Sequence, residues 1–111
     1  MILSAHQPHY LPWLRYFEKI AQSNCFVLLD DLQYNKGGFQ NRNFIKGPNG
    51  RVRLTVPVKH KYKQLLTDVK IAYHQWWGEK HIQSLKTCYG KAPFFPHYRT
   101  FFEELYSVTW E

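Results

Sequence analysis

Two histidines, His6 and His9, stand in a segment running to Trp13 that also carries Gln7, Pro8, Tyr10 and Pro12. These are residue types suited to proton transfer and hydrogen bonding. A neutral imidazole near pH 7 can take a proton from an amine or hydroxyl, and a neighbouring carboxylate would fix its tautomer. His6 is the candidate general base; Asp30 or Asp31 is its candidate orienter or a ligand for a substrate amine. Gln33, Tyr34 and the run Gln40-Asn41-Arg42-Asn43 add amides, a phenol and a guanidinium. Arg42 suits a phosphate or carboxylate, while Gln7, Asn41 and Asn43 suit hydroxyls.

To act together these groups need elements that bring them to one place. Ile2 to Ala5 reads as a strand and Trp13 to Gln22 as an amphipathic helix, with Leu14, Phe17, Ile20 and Ala21 apolar and Pro12 in the first turn. Cys25 to Leu29 is a continuous apolar run, predicted to be a strand buried on both faces. Strand, loop, helix and strand make a βαβ-like opening with a parallel pair. A right-handed crossover then sets Asp30-Asp31 at the sheet edge carrying the His6 loop, where open α/β folds hold ligands at a helix N-terminus.

Beyond a polar, glycine-bearing stretch from Leu32 to Asn43, Phe44-Ile45 leads through Gly47-Pro48-Asn49-Gly50 into an alternating run, Arg51 to Val58. Val52, Leu54, Val56 and Val58 share one face of this hairpin, Arg51, Arg53 and Thr55 the other. Pro57 marks an edge or the end of regular pairing. His60 to Gln64 is a basic connection and Asp68 to Ala72 a further strand. A second helix is predicted over Gln75 to Tyr89, with Trp77, Ile82, Leu85, Cys88 and Tyr89 near one face. Ala92 to Pro96 reads as an aromatic linker, and a third helix starts near Tyr98. The expected fold is α/β: a βαβ-like opening with a mixed sheet, a β-hairpin and two C-terminal helices, forming a single domain over residues 1–111.

Composition narrows the function classes. Hydrophobic residues at 44% argue for a folded chain, and 18% aromatics favour a binding surface beside the core. A formal charge of +7 suits anionic partners such as nucleotides or sugar phosphates, with a local cluster at Lys59, Lys61 and Lys63. Cys25 and Cys88 have no CxxC spacing and are expected to be free, buried thiols in a reducing compartment. Without a leader or membrane-length apolar run, a cytoplasmic location is expected.

Three other chemistries compete. His6 and His9 share the H-x-x-H spacing of nucleotidylyltransferase loops, although Pro8 replaces a phosphate-approaching glycine. Zinc binding has six histidines to draw on, but most of His60, His74, His81 and His97 read as surface or helix-face residues, and no CxxC or HExxH accompanies them, so no metal site is assigned. A non-enzymatic module for nucleic acid or another anion fits the charge and aromatics, yet no RNP, KH or helix-turn-helix signature supports nucleic acid as a partner. No cofactor is indicated.

Several blocks, taken in order, resemble the WbqC-like proteins: HQPHYLPW from His6, RYFEKI from Arg15, FVLLDDLQY from Phe26, QNRN from Gln40 and LTVPV from Leu54. Trp77 with Lys80-His81, and Tyr89 to Phe95, resemble two later stretches of the family pattern. Arg15 departs from it, standing where the family usually has glycine. The matching motif positions are His6, Gln7, Pro8, Tyr10, Pro12, Asp30, Asp31, Gln33, Tyr34, Asn41, Arg42 and Asn43. The resemblance implies a role in bacterial O-antigen or other surface-polysaccharide synthesis, modifying a nucleotide-activated amino sugar by acyl or aminoacyl transfer. It also implies that the chain corresponds to the N-terminal portion of a longer protein.

Overall fold

The computed structural model describes residues 1–73 and 76–110, so the readings that fall on His74, Gln75 and Glu111 lie outside the described residues. The elements, in order, are β1 (Leu3–His6), α1 (Leu14–Ala21), β2 (Cys25–Leu28), β3 (Arg42–Gly47), β4 (Gly50–Thr55), β5 (Val58–Lys59), β6 (Lys70–Ile71), α2 (Trp77–Tyr89) and α3 (Phe95–Ser107). This is an α/β fold. Among the described residues its strands form three two-stranded sheets, β1-β2, β3-β4 and β5-β6. The chain divides into two compact units: Met1–Asn43 with Val58–Lys70, and Phe44–Pro57 with Ile71–Glu111.

In the first unit β1 and β2 run parallel, with Leu3 opposite Cys25 and His6 opposite Leu28, as the βαβ-like opening requires. Asn24 fixes the start of this register, its Oδ1 accepting from the Ile2 N–H at 2.7 Å while its own N–H donates to the Ile2 carbonyl at 2.8 Å. Burial differs from the apolar pattern. Val27 and Leu28 are 41% and 56% exposed, so β2 is not buried on both faces. Cys25 is likewise exposed and Cys88 half-buried, both as free thiols, which corrects the expectation of buried ones.

Helix α1 departs in the same way. Leu14, Phe17 and Ile20 are exposed, whereas Tyr16, off that stripe, is the buried residue of the helix at 5% exposure. Its ring meets Phe26 at 5.7 Å, so an aromatic pair joins α1 to β2. Pro12 precedes the N-cap Trp13 and so lies just outside the first turn.

The second unit follows its periodicity closely. Leu54 and Val56 are buried, Val52 half-buried, and Arg51, Arg53 and Thr55 exposed. The hairpin loop leaves no space at Gly47, where a Cβ would come within 2.8 Å of the Gly50 carbonyl oxygen. Along α2, Trp77, Ile82 and Leu85 are buried as the spacing predicts. So is His81, at 4% exposure, which of the two readings open to it, surface or helix face, takes the helix face. It shares the face of Trp77 and Leu85, and its Nε2 lies 3.0 Å from the Thr55 carbonyl of β4. Since that oxygen can only accept, Nε2 carries the proton.

Helix α3 begins three residues before Tyr98, at Phe95. Pro96 sits in its first turn, where a missing N–H leaves no hydrogen bond unmade, so the expected linker ends in helix. Gly78 permits close packing of α2 on α3: a Cβ there would lie 2.7 Å from the Tyr106 carbonyl oxygen. Lys86 and Glu103 pair across the two helices at 2.9 Å.

Candidate functional site

The candidate residues gather in the first unit. Leu29 donates its N–H to the His6 carbonyl at 2.9 Å, so the chain leaves β2 toward Asp30 at the end of the sheet where the His6 loop begins. That much of the sequence argument holds. The loop itself is tied down by the segment around Asn43. Tyr10 N–H donates to the Phe39 carbonyl at 3.0 Å, and Asn43 Nδ2 donates to the carbonyls of Tyr10 and Leu11 at 3.2 and 2.8 Å. Leu11 has φ +43°, a left-handed conformation costing roughly 1–3 kcal/mol for a non-glycine residue. Asn43 therefore reaches the site by holding a strained loop, with both amide protons given to backbone.

His6 is oriented by backbone. Its Nδ1 lies 3.0 Å from the Gln7 carbonyl, which also accepts from the Tyr16 hydroxyl at 3.0 Å. The carbonyl can only accept, so Nδ1 bears the proton and Nε2 of the neutral ring keeps its lone pair. The ring meets His9, Tyr16 and Trp13 edge-on at centroid distances of 4.7, 5.0 and 5.9 Å. The tautomer that Asp30 or Asp31 was expected to set is set by Gln7. Both carboxylates are exposed, and neither side chain has a hydrogen bond or ion pair among the described residues.

His9 stands inside an aromatic cage, with Trp13 and Tyr16 each 5.5 Å away and Phe39 at 5.9 Å. Its Nδ1 is buried without a hydrogen-bond partner. Burial, and then the neighbouring charge of His6, hold its pKa below the ordinary imidazole value. Gln7 joins it to Gln40: Gln40 Nε2 donates to Gln7 Oε1 at 3.1 Å, and Gln7 Nε2 lies 3.3 Å from His9 Nε2. His9, Trp13, Tyr16, Phe39 and Gln40 are the members of this cluster that the sequence reading left out of its site. Gln40 stood within the quartet singled out for its amides, whereas nothing in the spacing marks Tyr16.

A second cluster surrounds Arg42. Gly37 has φ +88°, which suits glycine, and a Cβ there would lie 3.7 Å from Arg42 Nη2. Tyr34 is buried, its ring 5.0 Å from that of His60. Burial raises the Tyr34 pKa while the Arg42 charge opposes the shift. Arg42 Nε is buried with no hydrogen-bond partner. A buried donor left unmade costs roughly 1–3 kcal/mol or more, so a guanidinium held this way is suited to receive an anion. Gln33 is exposed and forms an antiparallel bridge with Leu65, and Asn41 is half-buried. No three His, Cys, Asp or Glu side chains converge into a metal site among the described residues.

His9, half-buried, and His81, buried, set a pH dependence. Burial also lowers the pKa of His81, with its hydrogen bond to Thr55 opposing. A histidine whose folded pKa lies below its unfolded value of about 6.5 binds fewer protons when folded. Stability is therefore expected to hold above that value and to fall as pH drops through about 6.5 toward the lower folded pKa values. Denaturant midpoints recorded from pH 8 to pH 5 check this; an unchanged midpoint across that window would contradict neutral burial of His9 and His81.

A model of the WbqC-like protein family matches residues 7–111. The chain is 36% identical over 91 residues to the uncharacterized protein Rv1507c of Mycobacterium tuberculosis, an alignment covering 80% of this chain and 39% of that protein. The chain thus spans well under half of the relative's length. No solved structure matches. No helix among the described residues is long and apolar enough to cross a membrane. With its motif blocks distributed along nearly the whole matched length, the chain belongs to the WbqC-like protein family.

Proposed function

We propose that the chain is the site-bearing N-terminal portion of a cytoplasmic transferase. It would modify a nucleotide-activated amino sugar in bacterial surface-polysaccharide synthesis by acyl or aminoacyl transfer. The observation that carries this reading is the state of His6: with Nδ1–H held by the Gln7 carbonyl, its Nε2 is a base. The sugar amine attacks the carbonyl carbon of the donor, the new C–N bond forms, the donor's leaving group departs, and the amine's surplus proton passes to His6 Nε2. Asp30 or Asp31, at the same sheet end, is suited to accept a hydrogen bond from the neutral amine and so hold it for attack. Arg42, with its buried Nε donor, and the formal charge of +7 favour the diphosphate of the sugar nucleotide.

A thermal-shift series against sugar nucleotides, free nucleotides and acyl donors tests this. A sugar nucleotide at a hundred times its Kd adds about 2.7 kcal/mol to folding stability, and Arg42→Ala is expected to diminish that gain. Steeply salt-dependent binding to single-stranded nucleic acid, with no response to any sugar nucleotide, would instead identify a non-enzymatic binding module.

A further inference from the structure

The amide chain leading into His9 has one fixed end. The backbone N–H of Asn35 lies 2.8 Å from Gln40 Oε1, and a backbone N–H can only donate. Gln40 therefore turns Nε2 outward, 3.1 Å from Gln7 Oε1, which accepts. Gln7 is left presenting its own Nε2, a donor, to His9 Nε2 at 3.3 Å. His9 must accept through that nitrogen. Its ring proton then belongs on Nδ1, the buried atom that has no partner. One backbone donor, relayed through two glutamines, thus fixes the tautomer of a histidine in the aromatic cage.

We propose that Gln40 is a positioning residue which, through Gln7, holds His9 as the neutral Nδ1–H tautomer, and that this N–H donates to a carbonyl oxygen of the ligand. The donor role rests on the acyl-transfer reading; the relay does not. A fixed neutral donor among aromatic rings stabilises charge developing on a carbonyl oxygen without reorganising. An imidazolium serving a phosphate would need a proton on Nε2, where the Gln7 amide already points its own hydrogen. The same arrangement gives the two histidines opposite tasks, with His6 Nε2 accepting a proton and His9 Nδ1–H donating a hydrogen bond.

Long-range 1H–15N correlation spectra of the labelled chain report which ring nitrogen is protonated, with the His9 signals assigned by their loss in His9→Asn. The expected wild-type result is a neutral His9 carrying its proton on Nδ1. Gln40→Glu removes the relay's donor at nearly constant shape: the carboxylate accepts from Asn35, Gln7 turns over to donate to it, and Gln7 Oε1 then faces His9 Nε2. The tautomer is expected to switch to Nε2–H. If Gln40→Glu does not fold, Gln40→Ala is expected to give a mixture of the two tautomers. A wild-type His9 protonated on Nε2, or a tautomer unmoved in a folded Gln40 variant, would overturn the relay.

For the donor role, His9→Asn retains an N–H near the Nδ1 position and is expected to keep most of the stabilisation by UDP-N-acetylglucosamine, whereas His9→Leu is expected to lose it. Equal stabilisation of both variants would overturn that role. A wild-type chain indifferent to every sugar nucleotide yet holding the Nδ1–H tautomer would refute the transferase reading and leave the relay standing.

Discussion

On the transfer reaction proposed above, His6→Ala is expected to lower turnover by roughly two to four orders of magnitude, the range attributed to a positioned general base. The reason is local. Nδ1 is already engaged by the Gln7 carbonyl, so the ring's chemistry is concentrated at Nε2, and alanine removes the one nitrogen able to accept the amine's proton. The loss should fall on kcat with little change in KM, because a proton in flight is an interaction of the transition state. His6→Asn is the informative companion: its amide can still donate to Gln7 and keep the loop in place, but it cannot act as a base. Turnover of both variants should therefore be low. Wild-type turnover in His6→Ala would take His6 out of the mechanism, and recovery in His6→Asn alone would make it a loop-holding residue.

The largest effect on stability is expected at Tyr16. Tyr16→Ala should destabilise the fold by about 3–5 kcal/mol, the usual range for deleting a buried aromatic ring. The side chain is 5% exposed and packs against His6, His9, Trp13 and Phe26 at 5.0, 5.5, 6.0 and 5.7 Å. With few other buried side chains in that unit, the loss is a large share of a domain's usual 5–15 kcal/mol. Tyr16→Phe keeps the ring and deletes only the donor to Gln7 O, at about 1 kcal/mol. Denaturant midpoints of the two variants separate packing from hydrogen bonding. A loss under about 1 kcal/mol for Tyr16→Ala would show that the cage does not hold the unit together.

How much of this was legible in the chain depends on the range of the interaction. The β4 face was, since alternation along one strand is a local property and Arg51, Arg53 and Thr55 are exposed as read. The buried face of α2 was legible, but the burial of His81, read as a surface or helix-face residue, was not, because its partner, the Thr55 carbonyl, lies 26 positions away. The apolar stripe of α1 was legible as a pattern but not its exposure, because apolarity describes a side chain whereas burial requires something to cover it. Leu14, at 83% exposure, has the expected spacing and lacks that cover.

The sequence by itself determined the family, the element types, the parallel β1-β2 opening and the concentration of polar chemistry in the His6 loop and the Gln40–Asn43 segment. These rest on residue types and short spacings. Only the tertiary structure decided that Gln7, not a carboxylate, orients His6, that Asn43 restrains a strained Leu11, and that Gln40 reaches Gln7 from 33 positions away to set the state of His9. Hydrogen-bond direction is the physical reason. An amide or imidazole can donate or accept, and which it does is settled by the partner that folding brings within about 3 Å of it.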